Sequence, residues 1–291
     1  MSDYKIITDS TFDLTPKLVE ELDVQVIPLS FVMGEKVYYN YPDERDMSAG
    51  EFYRRIRAGE SSTTNQINTS TFLDVFTPVL AAGHDILYMA FSSGLSGTYN
   101  SACMAAEELR GKFPERKILM VDTLAASMGE GLLVYYAVQQ KRAGATIEEL
   151  ESWVVNNRNR LAHWFTVDDL NHLKRGGRVS GTAAFVGTML GIKPVLHVDN
   201  EGHLIPMEKV RGRRQSLDAL VKHMGKTAQL ENAKTVFISH GDAQEDAEYV
   251  AEQVRTKFPG SKVYLNTIGP VIGAHSGPGT IALFFMAENK D

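Results

Sequence analysis

The 291-residue chain has a single cysteine, no long apolar run and no excess of positive charge, and each shortage removes a class of protein. Cys103 alone cannot close an internal disulfide, so a disulfide-stabilised secreted scaffold is disfavoured. No apolar stretch approaches the roughly 20 residues of a spanning helix, which argues against an integral membrane protein. A formal charge of −6 argues against a general binder of nucleic acid or anionic membrane. His163, His172, His197, His203 and His223 fall singly, with no H-x₃-H or C-x₂-C spacing, so no metal is expected. The chain carries no nucleotide motif of its own, and no cofactor is expected either. The amino terminus enters a strand-like segment without a signal-peptide pattern, from which a cytoplasmic location is expected.

What is present is a globular composition, 43% hydrophobic and 23% charged, long enough for two domains. Apolar runs over 5–8, 24–31, 86–91 and 117–122 predict strands, and amphipathic segments over 15–22, 48–58, 69–82, 98–112, 129–143 and 147–160 predict helices. Their alternation predicts an α/β domain of three layers over 1–162, with a mainly parallel sheet covered on both faces. The tyrosine-rich stretch 33–42 fits neither pattern and reads as a small β excursion. After residue 160 the strands at 163–167, 192–198 and 203–210 are joined by short turns such as Asp199-Asn200-Glu201-Gly202. Together with segments at 234–239, 242–258, 262–266 and 281–286, they predict a second α/β domain over 163–291, of two layers, with a mixed or antiparallel sheet. A short junction implies that the two domains pack together and form a cleft.

The most informative segment is 92–101, Ser-Ser-Gly-Leu-Ser-Gly-Thr-Tyr-Asn-Ser, which lies between a strand and a helix. Glycines permit close backbone approach, amides of a first helical turn point outward, and hydroxyls rotate to donate, so the loop suits an anion. It contains no Lys or Arg and matches neither phosphate-loop pattern, which favours a singly charged group such as a carboxylate over a polyphosphate. Other hydroxyl-rich segments also sit where apolar runs end: Thr8-Asp9-Ser10-Thr11, 61–66, and Asp122-Thr123. Taken singly, each reads equally as a turn or a helix cap. A glycine-rich segment over 268–279 carries His275, and Gly273, Gly277 and Gly279 imply close backbone approach there.

On Ile7-Thr8-Asp9-Ser10, Thr64-Asn65-Gln66, the 92–99 loop, Leu173-Lys174-Arg175-Gly176-Gly177-Arg178-Val179-Ser180 and the glycine-rich closing segment, the chain resembles the DegV family from end to end. These are fatty-acid-binding proteins that act as FakB-like subunits of bacterial fatty acid kinase. One departure is Asn65-Gln66-Ile67-Asn68, where the family has Ser-Gln-Pro-Ser. The resemblance implies that Thr64, Ser96 and His275, with backbone amides near Asn65 and Gly97, hold the carboxylate of a long-chain fatty acid. It further implies a separate FakA-like, ATP-dependent catalytic subunit as partner, docked through Arg175 or Arg178, and a chain that is itself not catalytic.

Head-group hydrogen bonds of ~1.5–3 kcal/mol each orient such a ligand. Burial of about 14 methylenes at roughly 0.8 kcal/mol each supplies most of the affinity. The tail therefore needs an apolar wall, for which Ala184, Gly187, Met189 and Ile192 are candidates, with Phe284, Phe285 and Met286 lining or backing the same space; small residues at this spacing serve close helix packing equally well. The basic clusters at 174–178 and 211–214 read as solvated or carbonyl-capping residues as readily as a docking face. A second function class is a serine hydrolase or acyltransferase with Ser96 as nucleophile, His275 as base and Asp9 or Asp122 as orienting acid, although the loop departs from G-x-S-x-G. No helix-turn-helix pattern supports a transcription regulator.

Overall fold

The computed structural model describes residues 4–179, 191–228 and 234–290. Its first half runs β1 (Tyr4–Asp9), α1 (Pro16–Leu22), β2 (Gln25–Ile27), β3 (Ser30–Met33), β4 (Lys36–Tyr39), α2 (Ala49–Arg57), β5 (Ser62–Asn65), α3 (Thr69–Ala81), β6 (Asp85–Ala90), α4 (Thr98–Lys112), β7 (Ile118–Asp122), α5 (Met128–Arg142) and α6 (Ile147–Asn157). The second half runs β8 (Leu161–Thr166), α7 (Asn171–Gly176), β9 (Ile192–Val198), β10 (Leu204–Arg211), α8 (Arg213–Thr227), β11 (Thr235–His240), α9 (Gln244–Lys257), β12 (Lys262–Thr267), α10 (Pro270–Ser276) and β13 (Ile281–Met286).

The amino-terminal half is built on a parallel sheet of order β2-β1-β6-β7. Every residue of β6 is buried, as expected of a central strand covered on both faces. Successive residues of β1 enter different cores. Ile7 faces the cluster with Phe72, Phe76 and Ala105 of α3 and α4, whereas Ile6 faces the cluster with Leu132, Leu133 and Leu150 of α5 and α6. The carboxy-terminal half is a six-stranded mixed sheet of order β10-β9-β8-β13-β11-β12, antiparallel except for the β11–β12 pair. One face of this sheet packs on α8 and α9, and α5 packs against the other, so α5 lies between the two sheets.

Helix starts follow local chemistry. Thr15, Ser48 and Asn68 each accept a hydrogen bond from an amide three residues on, and Thr146 forms a capping box with Glu149. The single strand expected over 24–31 is instead two, β2 and β3, separated by Pro28, which has no amide hydrogen for a ladder. β3 turns away into a small antiparallel sheet of order β4-β3-β5, which contains the excursion expected at 33–42. Three helices, α7, α8 and α10, were not predicted as such by periodicity. α8 starts in the basic cluster, where Arg213 is held by Asp246 and the Gly279 carbonyl and Arg214 stacks over the Tyr249 ring, so both serve the fold.

The two halves are joined by specific polar contacts. Tyr53 Oη donates to the Ile268 carbonyl, Asn266 Nδ2 donates to the Asp13 carbonyl, and Arg57 pairs with Asp242. Among the described residues no helix is long and apolar enough to cross a membrane, and no group of three or more His, Cys, Asp or Glu is placed to hold a metal.

Candidate functional site

A cavity of about 390 Å³ lies between the two halves. Thr64, Asn65, Gln66, Ser96 and Gly97 line it from the first, and Arg178, His275 and Ser276 from the second. The remaining wall is mainly apolar: Leu29, Phe91 and Leu95 on one side, and Phe165, Leu173, Val198, Leu204, Val271, Ile272, Ala282 and Phe284 on the other. Strand alternation decides which residues of the second sheet reach it. Ala282 and Phe284 of β13 face the cavity side, while Ile281, Leu283 and Phe285 face α8 and α9. Of the residues expected at the tail, Phe284 therefore lines the cavity, whereas Phe285 is in the core on the opposite face of the sheet. Ile192, at the start of β9, does not line the cavity either. Ala184, Gly187 and Met189 lie outside the described residues.

Thr64 and His275, 211 residues apart, meet across the domain junction with Thr64 Oγ1 2.8 Å from His275 Nε2. β5 presents Thr64, and α10, capped by Gly269 and started by Pro270, packs against β5 and presents His275. Burial first, and the nearby Arg178 charge second, push the imidazole down to about 4, so it is neutral at pH 7. Its buried Nδ1 has no hydrogen-bond partner among the described residues. A proton there would be an unpaired buried donor, so the favoured tautomer carries it on Nε2 and donates to Thr64 Oγ1. The Thr64 hydroxyl hydrogen is then available to a ligand in the cavity. Because the unfolded histidine titrates near 6.5 and the folded one near 4, the native state binds fewer protons across that window. Stability is thus expected to fall as pH drops from 6.5 to 4, by up to about 3 kcal/mol from this residue. A His275→Asn variant should show a flatter stability profile over that range in urea titrations at stepped pH.

Ser96 lies at the start of α4. Its Oγ accepts from the Thr98 amide at 3.3 Å and lies 3.0 Å from Thr98 Oγ1, which in turn accepts from the Ile67 amide. Gln66 Nε2 donates to Ser101 Oγ, and Asn65 Nδ2 donates to Ser30 Oγ at the outer edge of the site. The other serines of this loop have structural roles: Ser92 Oγ donates to the Gly202 carbonyl of the β9–β10 turn, and the Ser93 amide donates to Asp122. The absence of a cation from the loop itself is made up from the other half of the chain, since Arg178 Nε donates to the Leu95 carbonyl and Nη1 to the Gly176 carbonyl. Arg175 is exposed and bonds His172.

The structure places neither candidate acid beside His275. Asp9 is buried among the Thr11 amide and hydroxyl, the Tyr88 hydroxyl and the Phe91 amide, and Asp122 accepts from the amides of Ser93 and Leu124. Nor does Ser96 bond His275: among the described residues its hydroxyl meets the amide and the hydroxyl of Thr98. A Ser–His–Asp relay thus lacks two of its contacts. The glycines of 268–279 do mark close approach, but to the protein's own side chains: Gly273 to Tyr53 and Phe52, Gly277 to His172, Gly279 to Asp168. Sequence reasoning missed much of the apolar wall, Leu29, Phe165, Val198 and Leu204 among it, and one residue beside the clamp. Gly176 lies so close to His275 that a Cβ would overlap Nδ1, and the only signal for it was the Gly-Gly pair between Arg175 and Arg178.

These features define a two-domain α/β protein with an apolar interdomain cavity and a neutral, hydroxyl-rich clamp facing into it. The DegV family model, described as an uncharacterised protein family, matches residues 3–288. A DegV domain-containing protein of Clostridium perfringens is 44% identical over 291 residues, covering 100% of both chains, and one of Lactococcus lactis is 39% identical over 99% of each. Among solved structures, a DegV family protein from Thermus thermophilus described for fatty acid binding superposes with a TM-score of 0.88 at 29% identity, covering 99% of this chain and 100% of that one. DegV of Bacillus subtilis, described as a fatty acid binding protein, gives 0.86 at 26%, with the same coverage. The chain belongs to the DegV family.

Proposed function

We propose that this protein is a non-catalytic carrier that holds a long-chain fatty acid between its domains and presents the carboxylate to a separate ATP-dependent kinase. The carrying observation is the Thr64–His275 pair, neutral and hydrogen-bonded, at an apolar cavity that also exposes Ser96. A neutral clamp of hydroxyls suits a carboxylate, because Thr64 and Ser96 can each donate to it while Arg178 lends a charge from the side. The apolar wall then takes the tail, and tail burial supplies most of the affinity. Solved DegV relatives described as fatty-acid-binding support the same reading. The relay contacts missing around His275 and Ser96 count against the hydrolase alternative.

Native mass spectrometry of the purified protein tests the ligand: a co-purified fatty acid is expected, and a protein that is empty and ignores added oleate and palmitate would sink the reading. Labelling of Ser96 by a fluorophosphonate probe would favour the hydrolase. For the partner, Arg175 is the cleaner docking residue, since Arg178 also braces the cavity wall. Arg175→Glu is expected to slow acyl-phosphate formation by the kinase at least tenfold with lipid affinity unchanged; equal rates would remove Arg175 from the interface.

A further inference from the structure

We propose that Asp13, which does not line the cavity, positions the carboxylate clamp by fixing the start of α10, the helix that carries His275. The inference rests on the fatty-acid reading above and adds to it a residue that acts through another. Asp13 is 6% exposed, at the end of the helical turn that follows β1, and it ties that turn to three other segments. Its Oδ1 accepts from the Gly269 amide at 2.9 Å, its Oδ2 from Ser127 Oγ at 2.6 Å, and its carbonyl from Asn266 Nδ2 at 2.8 Å. Gly269 caps α10, Ser127 precedes α5 and Asn266 lies on β12.

α10 has seven residues, a rod of about 10 Å at roughly 1.5 Å per residue, so a movement of its first turn is carried to His275 near its other end. The first half of the chain holds that turn at two points: Tyr53 Oη donates to the Ile268 carbonyl, and Asp13 accepts from the Gly269 amide. The second contact has no slack, because a Cβ on Gly269 would lie 2.8 Å from Asp13 Oδ1 and 2.9 Å from Asn40 Nδ2. At the far end Thr64 Oγ1 and His275 Nε2 are 2.8 Å apart, and a shift of about 1 Å takes them out of hydrogen-bond range. The same carboxyl group also holds the cavity wall. Ser127, a lining residue, has φ +51° and ψ −146°, which a residue other than glycine adopts only when its surroundings impose it, and its hydroxyl is held by Asp13 and by Ser239 Oγ at 2.9 Å. Oδ1 can accept whether or not Oδ2 carries a proton, so the hold on α10 does not depend on ionisation. An asparagine oxygen would do the same, while its amide group donates to Ser127 Oγ.

The test compares dissociation constants of oleate and oleyl alcohol, which share a tail and differ in the carboxylate, read by displacement of a fluorescent fatty acid. Asp13→Gly removes the carboxyl group without straining a backbone that stands at φ +49°. It is expected to weaken oleate binding about tenfold or more, and oleyl alcohol binding by less than about twofold. Asp13→Asn should keep oleate affinity within about threefold of the wild type. If Asp13→Gly fails to fold, Gly269→Ala attacks the same contact from the other side, at a residue whose φ of −66° accepts alanine, and the same selective loss is expected. Unchanged oleate affinity in the variant, equal losses of oleate and oleyl alcohol, or an Asp13→Asn protein as weak as Asp13→Gly would each overturn the positioning role alone. Failure of the wild-type protein to bind oleate would overturn the fatty-acid reading with it.

Discussion

Replacing Gly176 by alanine is expected to weaken fatty-acid binding roughly ten- to a hundredfold while the protein remains folded. The added methyl would occupy the position of His275 Nδ1, and an imidazole ring, unlike the tip of a long side chain, has little room to bend away. Displacing the ring breaks its bond to Thr64 Oγ1, so the hydroxyl that should donate to the carboxylate loses the partner that orients it. The magnitude is that of one hydrogen bond to a charged group, ~1.5–3 kcal/mol. Gly177→Ala supplies the control. Gly177 has φ +67° with nothing near its Cβ direction, so that substitution strains the backbone by about 1 kcal/mol but does not touch His275. Titration with oleate alongside thermal denaturation separates the two: Gly176→Ala should lose affinity, Gly177→Ala only stability. Equal affinities in both would remove the Thr64–His275 pair from the head-group site.

Glu130→Ala is expected to destabilise the protein by about 3 kcal/mol or more, and Glu130→Gln by less than about 1 kcal/mol. Glu130 is fully buried on α5, with Oε1 2.7 Å from Thr8 Oγ1 and Oε2 2.8 Å from Thr11 Oγ1. The same two hydroxyls also meet the Met89 carbonyl and Asp9 Oδ1. Two hydroxyl hydrogens cannot serve four such contacts, so the carboxyl groups of this network carry protons, Glu130 among them. Burial first, and the Asp9 charge second, raise Glu130 well above its ordinary 4.5, in agreement with a neutral acid. A glutamine amide donates and accepts in the same places, whereas alanine leaves both threonines short of a partner beside a void. The pH dependence has a definite sign. The folded protein keeps a proton that the unfolded chain loses near 4.5, so this group's contribution to stability declines as pH rises above 4.5 toward the folded value. Asp13, raised to about 7 chiefly by burial, adds a slope of the same sign up to about pH 7. Chemical denaturation from pH 5 to 9 should therefore show a gentler decline in Glu130→Gln than in the wild type, and identical slopes would mean that Glu130 is ionised in the native state.

The site residues differ in how legible they were. Glycine, serine and threonine at strand ends marked the segments of Thr64, Ser96 and His275, and the family resemblance singled out those three residues within them; the head-group end of the cavity is built from these segments. The tail wall has no such signature. Phe284 and Phe285 are neighbours of one residue type, and which of them meets the cavity depends on the face that β13 turns to α5. Gly176 carried no signal beyond its place in the Gly-Gly pair, because the His275 ring packed against it comes from 99 residues downstream. Arg178 read as a surface charge, because the Leu95 carbonyl it reaches belongs to the other domain.

The elements themselves were mostly determined by the chain alone. The helix over Thr98–Lys112 and the strands over Ile192–Val198 and Ile281–Met286 fall where periodicity puts them, since hydrophobic repeat, caps and turn residues act over a few positions. The segments that escaped this reading, α7, α8 and α10, are short, charged or glycine-rich, and α10 is held where it is by β5 and α2. What only the tertiary structure decided is which polar groups face one another: the Thr64–His275 bond and the contacts of Glu130 with Thr8 and Thr11 each join residues far apart in the chain. Local sequence sets backbone conformation, but hydrogen-bond satisfaction and burial belong to groups distant in the chain, and these in turn set the protonation states on which the site depends.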